Sequence, residues 1–369
     1  MQKKLRVFID HQIFTMQNYG GISRVFTELY KQFERDPNVE PILPILLSDN
    51  EYIGEIKKVW SIFPYNKSFA KKLFYYVVNR IYSTFFLLKG DFEIFQPTYY
   101  DPYFLPFLKK KSFVLVIHDM THEIFPETVS SRDKTIEWKE KLVHRAERII
   151  AISENTKKDI VKFYDINEKK IDVVYWATSL KISNTDLNID LPKRYILFVG
   201  NRNTYKNFEL FFKSIAKLLK ENKDLSLLCA GSSKFSEKEI EMFNGLGVTN
   251  KVKHIRFKDD NELAYIYSKA ICFVFPSLYE GFGIPVLESF ACNCPAIISN
   301  ISSLPEVGGN AVEYFNPNSK KSIYSAVKKV VGDANLKKEM ITNGKDRLKL
   351  FSWQIAAKKI IAIYKDLNK

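Results

Sequence analysis

Glu280 and Glu288 stand eight residues apart at the two ends of E-G-F-G-I-P-V-L-E, with Gly281 and Gly283 between them. Two carboxylates can accept hydrogen bonds from paired hydroxyls, as in a ribose or a hexose. The two glycines carry no Cβ, so the backbone there is free to turn tightly and to let a ligand approach. Amides of the turn Gly281, Phe282, Gly283 and Ile284, with the positive end of the helix that Pro285 opens, suit a diphosphate. The combination reads as a sugar-nucleotide site. Taken as a glycine pair alone, the same residues fit an ordinary strand-to-helix connection with two solvated glutamates.

Other residues of the right types lie at strand ends. Arg202 and Lys206 bracket the turn after an apolar run, Tyr195–Gly200; the first offers a fork for two phosphate oxygens, the second a movable point charge. His118 and Asp119 end the run Ser112–Ile117, where a histidine would stand in the crevice of a doubly wound sheet or simply cap the turn. Gly20 and Gly21 precede a helical pattern, where they offer amides to an anion or mark only a turn. Asp259 and Asp260 invite a metal reading, but Asp259-Asp260-Asn261-Glu262 fits a helix cap, and no metal is expected.

The segment E-G-F-G-I-P-V-L-E resembles the E-x7-E signature of retaining glycosyltransferases of family 4, which have the GT-B architecture. That resemblance implies that Glu280 contacts hydroxyls of the donor sugar and Glu288 holds the nucleotide ribose. The passage FIDHQIFTMQNYGGISRVFTEL is similar to the opening of bacterial polysaccharide and O-antigen mannosyltransferases of this family, which implies that Gly20 and Gly21 approach the donor phosphate. VIHDMTHEIFPE fits the family's histidine context, implying that His118 contacts the transferred sugar near the reacting carbon, with Asp119 beside it. The family's G-R-x-x-x-K-N pattern maps onto Gly200, Arg202, Lys206 and Asn207 if Asn201 is taken as an insertion, and Phe257 and Lys258 correspond by position to the nucleobase region. His118, Glu280, Arg202 and Lys206 are thus the implied catalytic set. The implied reaction retains configuration, needs no metal or other cofactor, and moves mannose from GDP-mannose, or another hexose from another nucleotide-sugar, to a growing lipid-linked polysaccharide or oligosaccharide. A UDP-sugar-dependent transferase with another acceptor and a GT-B epimerase are the alternatives.

The chain has 369 residues, the length of two ordinary domains. Strand-like runs alternate with helical patterns, which predicts an α/β fold. With the resemblance, that becomes two Rossmann-like domains facing each other across a deep cleft. The expected division is an acceptor-side domain over 1–177, a linker over 178–190, a nucleotide-sugar domain over 191–352, and a C-terminal helix over 353–369 that packs back on the first domain. Leu5–Asp10, Ile42–Leu47, Glu93–Thr98, Ser112–Ile117, Arg148–Ile152 and Ile171–Tyr175 are the expected strands of the first sheet.

Lysine and arginine number 56 against 42 acidic residues, a net charge of +14 that calls for an anionic partner. No nucleic-acid module matches, so a phosphorylated substrate and an anionic membrane surface are favoured over DNA or RNA. Residues 68–88 are rich in aromatics and aliphatics, interrupted by Lys71, Lys72 and Arg80. They read either as a buried core helix or as an interfacial segment. No signal peptide is read at the start and no stretch is apolar enough to span a bilayer, so a cytoplasmic protein, peripheral on the inner face of the plasma membrane, is expected. The four cysteines fall in or beside predicted elements and are expected to be reduced and buried.

Overall fold

The computed structural model describes residues 3–62, 69–128, 130–182, 187–202, 204–231 and 233–369. Residues 183–186 of the expected linker and Ser68 of the aromatic segment lie outside the described residues. Two compact units are present, one made of 1–176 with 353–369 and the other of 177–352.

The first unit is built on six parallel strands: β1 (Leu5–Ile9), β2 (Val39–Ile42), β3 (Ile94–Gln96), β4 (Ser112–Ile117), β5 (Arg148–Ala151) and β6 (Ile171–Val173). Their order is β2-β1-β3-β4-β5-β6. Helices cover both faces of a parallel sheet, which is why these strands are near-continuous apolar runs, with Val7, Phe95, Val114 and Ile149 all but inaccessible. The final helix, Trp353–Leu367, belongs to this unit and packs on the helix Gly21–Arg35. Phe33 and Tyr364 meet edge to face at 5.8 Å, and the Tyr364 hydroxyl donates to Gln96 Oε1 at 2.7 Å.

One expected strand is displaced. The segment that pairs with β1 is Val39–Ile42, with Leu5 opposite Val39 and Phe8 opposite Ile42, and not Ile42–Leu47. Apolar character alone misled here. Pro44 has no N–H to give a ladder, and the amides of Leu46 and Leu47 are taken by Asn79 Oδ1, each at 3.0 Å. Pro41 is tolerated because β2 lies at the sheet edge.

Asn79 lies on the helix Phe69–Lys89, whose inward face includes Tyr75, Asn79, Ser83 and Leu87. Leu73, Phe74, Val77, Ile81, Phe85 and Leu88 are exposed instead. The segment is therefore not an ordinary core helix. Among the described residues no helix is long and apolar enough to cross a membrane.

In the second unit β7 (Arg194–Val199), β8 (Leu225–Ala230), β9 (Val252–Ile255), β10 (Cys272–Phe275), β11 (Ala296–Ser299) and β12 (Val312–Phe315) are again all parallel, in the order β12-β11-β10-β7-β8-β9. Phe208, Phe211, Phe212 and Ile215 of the helix Phe208–Glu221 pack with Ile196, Phe198 and Leu227 in its core. All four cysteines are free and buried. The direction of winding reverses between β1 and β3 in the first sheet and between β7 and β10 in the second. Doubly wound sheets bind ligands beyond the carboxyl ends of the strands at such a reversal.

Replacing Tyr364 by Phe should remove the donor that satisfies the buried Gln96 oxygen and destabilise the protein by about 1–3 kcal/mol. Urea titration should then show a lower midpoint at unchanged slope.

Candidate functional site

The loops that follow β7 and β10 flank the reversal of the second sheet, and the sequence puts Lys206 on one and Glu280 on the other. After β7 the chain turns at Gly200, with φ +110°, and reaches the helix Phe208–Glu221 through Asn207, in the left-handed region at φ +55°. The Lys206 ammonium lies 2.6 Å from Glu280 Oε1 and above the rings of Tyr205 and Phe275 at 5.0 and 5.1 Å. Beside this pair the Leu278 amide donates to the Tyr205 carbonyl at 2.7 Å, so the two loops are joined by backbone as well as by charge.

The glycine turn is held from a third loop. Ser303 Oγ donates to the carbonyls of Glu280 and Phe282 at 2.8 and 2.9 Å, and the Glu280 amide donates to Ser302 Oγ at 3.1 Å. These serines have no local signature in the sequence, because their work is done on backbone about 20 residues away. Gly283 precedes the helix Ile284–Ala291 at φ +113°, and a Cβ there would stand 2.9 Å from Leu304 Cδ2. Glycine is required at 283 on both counts. Glu288, buried one turn into that helix, accepts from the Tyr267 hydroxyl at 3.3 Å. Burial, with the Glu288 carboxylate beside it, pushes the Tyr267 hydroxyl well above its ordinary range. Ser277 Oγ is buried with no hydrogen-bond partner among the described residues.

Arg202 is engaged elsewhere. Its guanidinium pairs with Glu239, Nε to Oε1 at 2.5 Å, and donates to the carbonyls of Ser233 and Lys234 at 3.0 and 2.7 Å, between the rings of Phe208 and Phe235. A phosphate contact from Arg202 would require this pairing to open. A cavity of about 1100 Å³ is lined by Arg202, Thr204, Asn207 and Glu239 but not by Lys206, Glu280 or Glu288. Phe257 and Lys258 follow β9 at the sheet edge; Phe257 is half-buried, and the Lys258 amide donates to Glu262 Oε2 at 2.8 Å. Asp259 caps the next helix by accepting from Asn261 and Glu262. Among the described residues no group of histidine, cysteine or carboxylate side chains is placed to hold a metal ion.

In the first unit, Gly20 is the N-cap of the helix Gly21–Arg35 and His118 packs against the same helix, its ring edge-on to Phe26 at 5.8 Å. The Gln17 side chain lies over Gly20, and its Oε1 accepts from the Ser23 amide at 3.3 Å. The helix end is thus occupied by a flexible side chain, while a Cβ on Gly21 would meet open space. His118 is held at its amide, which donates to Tyr100 Oη at 3.2 Å, and its Nε2 is buried with no partner among the described residues. Burial lowers its pKa to about 4; Lys139 adds to that effect and Asp119 opposes it. The imidazole is therefore neutral near pH 7.

Lys139 was not singled out in the sequence, yet it fixes this loop. Its fully buried ammonium donates to the Asp119 carbonyl at 3.0 Å and to Glu123 Oε2 at 2.9 Å, and Tyr164 donates to the other Glu123 oxygen at 2.6 Å. Burial raises the pKa of Asp119, but Lys139 and the Thr121 amide outweigh it and hold the carboxyl below its usual range. A second buried network centres on Asp10 at the end of β1, which accepts from Tyr103 and Gln12 at 2.6 Å each and from the His11 amide at 2.8 Å.

The low pKa of His118 has a consequence for stability. As pH falls through the window between 6.5 and about 4, the unfolded chain takes up a proton that the folded protein refuses. Stability is therefore unaffected above this window and falls within it. At about pH 4.5 the loss attributable to His118 should be on the order of 2–3 kcal/mol. His118→Gln should flatten the pH dependence of the unfolding free energy, measured by urea titration, by that amount relative to wild type.

Comparison with known proteins matches this architecture. The family description "Glycosyltransferase Family 4" fits residues 19–180 and "Glycosyl transferases group 1" fits residues 181–347. The O-antigen chain mannosyltransferase RfbU of Salmonella typhimurium is 30% identical over 227 residues, 61% of this chain and 62% of that protein. This chain therefore spans about three fifths of that relative. O-antigen chain mannosyltransferase B of Escherichia coli is 25% identical over 290 residues, 74% of each chain. Among solved structures, HepE of Anabaena in complex with UDP and glucose superposes with a TM-score of 0.73 over 98% of this chain and 99% of its own, at 15% identity. Two adjoining family matches from residue 19 to residue 347, laid over two doubly wound parallel sheets, make this chain a member of glycosyltransferase family 4 with the GT-B fold.

Proposed function

We propose that the protein is a retaining hexosyltransferase that moves mannose from GDP-mannose to a growing lipid-linked polysaccharide. It would work on the cytoplasmic side, at the anionic membrane surface that carries such an acceptor. The observation that carries the reading is the Lys206–Glu280 pair at the winding reversal of the second sheet, which sets a cation beside a hydroxyl acceptor. The names of the two O-antigen relatives support mannose. UDP and glucose in the HepE structure favour, as a second reading, a UDP-sugar donor.

In this reading the bond between the anomeric carbon and the diphosphate oxygen breaks while an acceptor oxygen attacks from the same face. The acceptor proton passes to the departing phosphate. Negative charge grows on the diphosphate, so a cation and backbone amides aimed there act where the transition state differs most from the bound donor. Lys206 supplies the cation without a metal. The amides of Gly281–Ile284 with the end of their helix, and those of Gly20 and Gly21, supply the dipoles. Glu280 would accept from donor-sugar hydroxyls and Glu288 from the ribose, while Phe257 and Lys258 border the base. His118, neutral, would offer one hydrogen bond to the sugar; Asp119 is held beside it. Arg202 would join the phosphate site only on release from Glu239.

A thermal-shift panel of GDP-, UDP-, dTDP- and ADP-sugars tests the donor, because a ligand that binds only the folded state raises the melting temperature. GDP-mannose should give the largest shift, and Glu288→Ala should abolish it; unchanged nucleotide affinity in that variant refutes the ribose contact. Lys206→Ala should lower kcat by roughly 100-fold or more at little change in KM, since it removes charge stabilisation made in the transition state. Wild-type turnover would remove the leaving-group role from Lys206.

A further inference from the structure

The helix Phe69–Lys89 is turned inside out. Leu73, Phe74, Val77, Ile81, Phe85 and Leu88 are between 45% and 68% exposed. At 3.6 residues per turn they share an arc of about 120°. The opposite face carries Asn79 and Ser83, both inaccessible to solvent. Asn79 Nδ2 donates to Thr15 Oγ1 at 2.9 Å and to the Leu47 carbonyl at 2.7 Å, while its Oδ1 receives the Leu46 and Leu47 amides. Ser83 Oγ is bonded to the Tyr103 hydroxyl at 2.8 Å, and the Ile62 amide donates to Tyr75 Oη at 3.0 Å. Rolling the helix to bury its apolar stripe would break all of these bonds inside the protein. The stripe is therefore fixed outward. Trp60 and Ile62, themselves exposed, lie on the segment tied beside it.

A contiguous apolar face of this kind marks an interaction surface. Charge identifies the partner. The helix contains no acidic residue but has Lys71, Lys72, Arg80 and Lys89. Lys72 and Lys89 are exposed at its two ends, Lys89 sits 4.4 Å above the Phe85 ring, and Lys58 is exposed near Trp60. With basic groups at both ends, a second copy of this face would meet like charge in either antiparallel or parallel packing. An anionic surface with an apolar layer beneath meets both features at once. The stripe is about 22 Å long at 1.5 Å per residue, which suits a helix lying in the plane of a membrane.

We propose that the outward face of Phe69–Lys89 docks on an anionic lipid bilayer, with its apolar stripe at the acyl boundary and Arg80, Lys89 and Lys58 among the headgroups. This names the element behind the membrane part of the reading above and does not depend on the sugar chemistry. The test is flotation of the full chain with vesicles of phosphatidylcholine alone or mixed equally with phosphatidylglycerol. Wild type should bind the mixed vesicles at least roughly tenfold more tightly than the neutral ones. The double variant Ile81→Asp, Phe85→Asp should lose roughly tenfold or more of that binding, with circular dichroism and nucleotide-sugar thermal shifts unchanged. Lys58→Glu with Lys89→Glu should remove the preference for anionic lipid.

Indifference of wild type to the mixed vesicles overturns the proposal, as does full binding by the double aspartate variant. So does a wild-type dimer that this variant converts to monomer, since the face would then belong to a second copy. Vesicle binding without any sugar transfer would sink only the proposed activity. Transfer to a soluble acceptor without vesicle binding would sink only the docking face.

Discussion

The bond between Lys206 and Glu280 is the constraint around which the second unit's site is built. Both side chains are largely withdrawn from water, 16% and 14% exposed, so either one left alone would forfeit hydration with nothing in its place. An ion pair on open surface would contribute little. Here the pair fastens the loop after β7 to the loop after β10, and the Leu278 amide and the two serines of the loop after β11 complete the fastening. Three loops at the carboxyl ends of three neighbouring strands are thus held in one arrangement before any ligand arrives. In the proposed reading, a donor with a diphosphate and hydroxyls would offer the ammonium an anion and the carboxylate a hydrogen-bond donor. Binding would then be an exchange of partners rather than the burial of bare charge.

The first unit relies on buried polar groups in another way. Asp10, Asn79 and Lys139 are each fully enclosed, and each is bonded to groups distant in sequence: Asp10 to Tyr103, Asn79 to Leu46 and Leu47, Lys139 to Asp119 and Glu123. Such groups are tolerated in a core only when satisfied, and when satisfied they fix one geometry. Lys139 sets the loop that carries His118, and Asn79 sets the rotation of the exposed helix. The His118 ring, desolvated and neutral, keeps one nitrogen without a protein partner among the described residues, in a unit whose other buried polar groups are mostly paired.

What could be read from the sequence is what depends on local period and turn chemistry. β4 is an apolar run bounded by polar residues and was legible to the residue. The glycine turn at 281–284 was legible because Pro285 and the flanking strands frame it. Ile42–Leu47 was misread because a run of the right hydrophobicity need not offer free amides. The direction of the helix Phe69–Lys89 was not legible, since its sequence has apolar residues all round and the decision rests with Asn79 and Ser83 bonding to distant chain. Ser302, Ser303 and Lys139 were missed for a related reason: their partners are backbone groups and, for Lys139, also the Glu123 carboxylate 16 residues earlier, which no local pattern records. Arg202 was visible as a cation, but its neighbour Glu239 lies 37 residues on, and only the fold brings the two together.

The path of the chain also orders events at the ribosome. Residues 177–352 form their unit from one uninterrupted stretch, whereas the other unit needs the helix Trp353–Leu367, with Ile360 and Tyr364 fully enclosed, to close its core. The segment made first must therefore wait for one made after residues 177–352, and the Phe33 and Gln96 surfaces that receive Tyr364 stay uncovered until that helix emerges. The later half can mature while the earlier half is still open. Nascent chains of this topology would thus meet chaperones through their amino-terminal half.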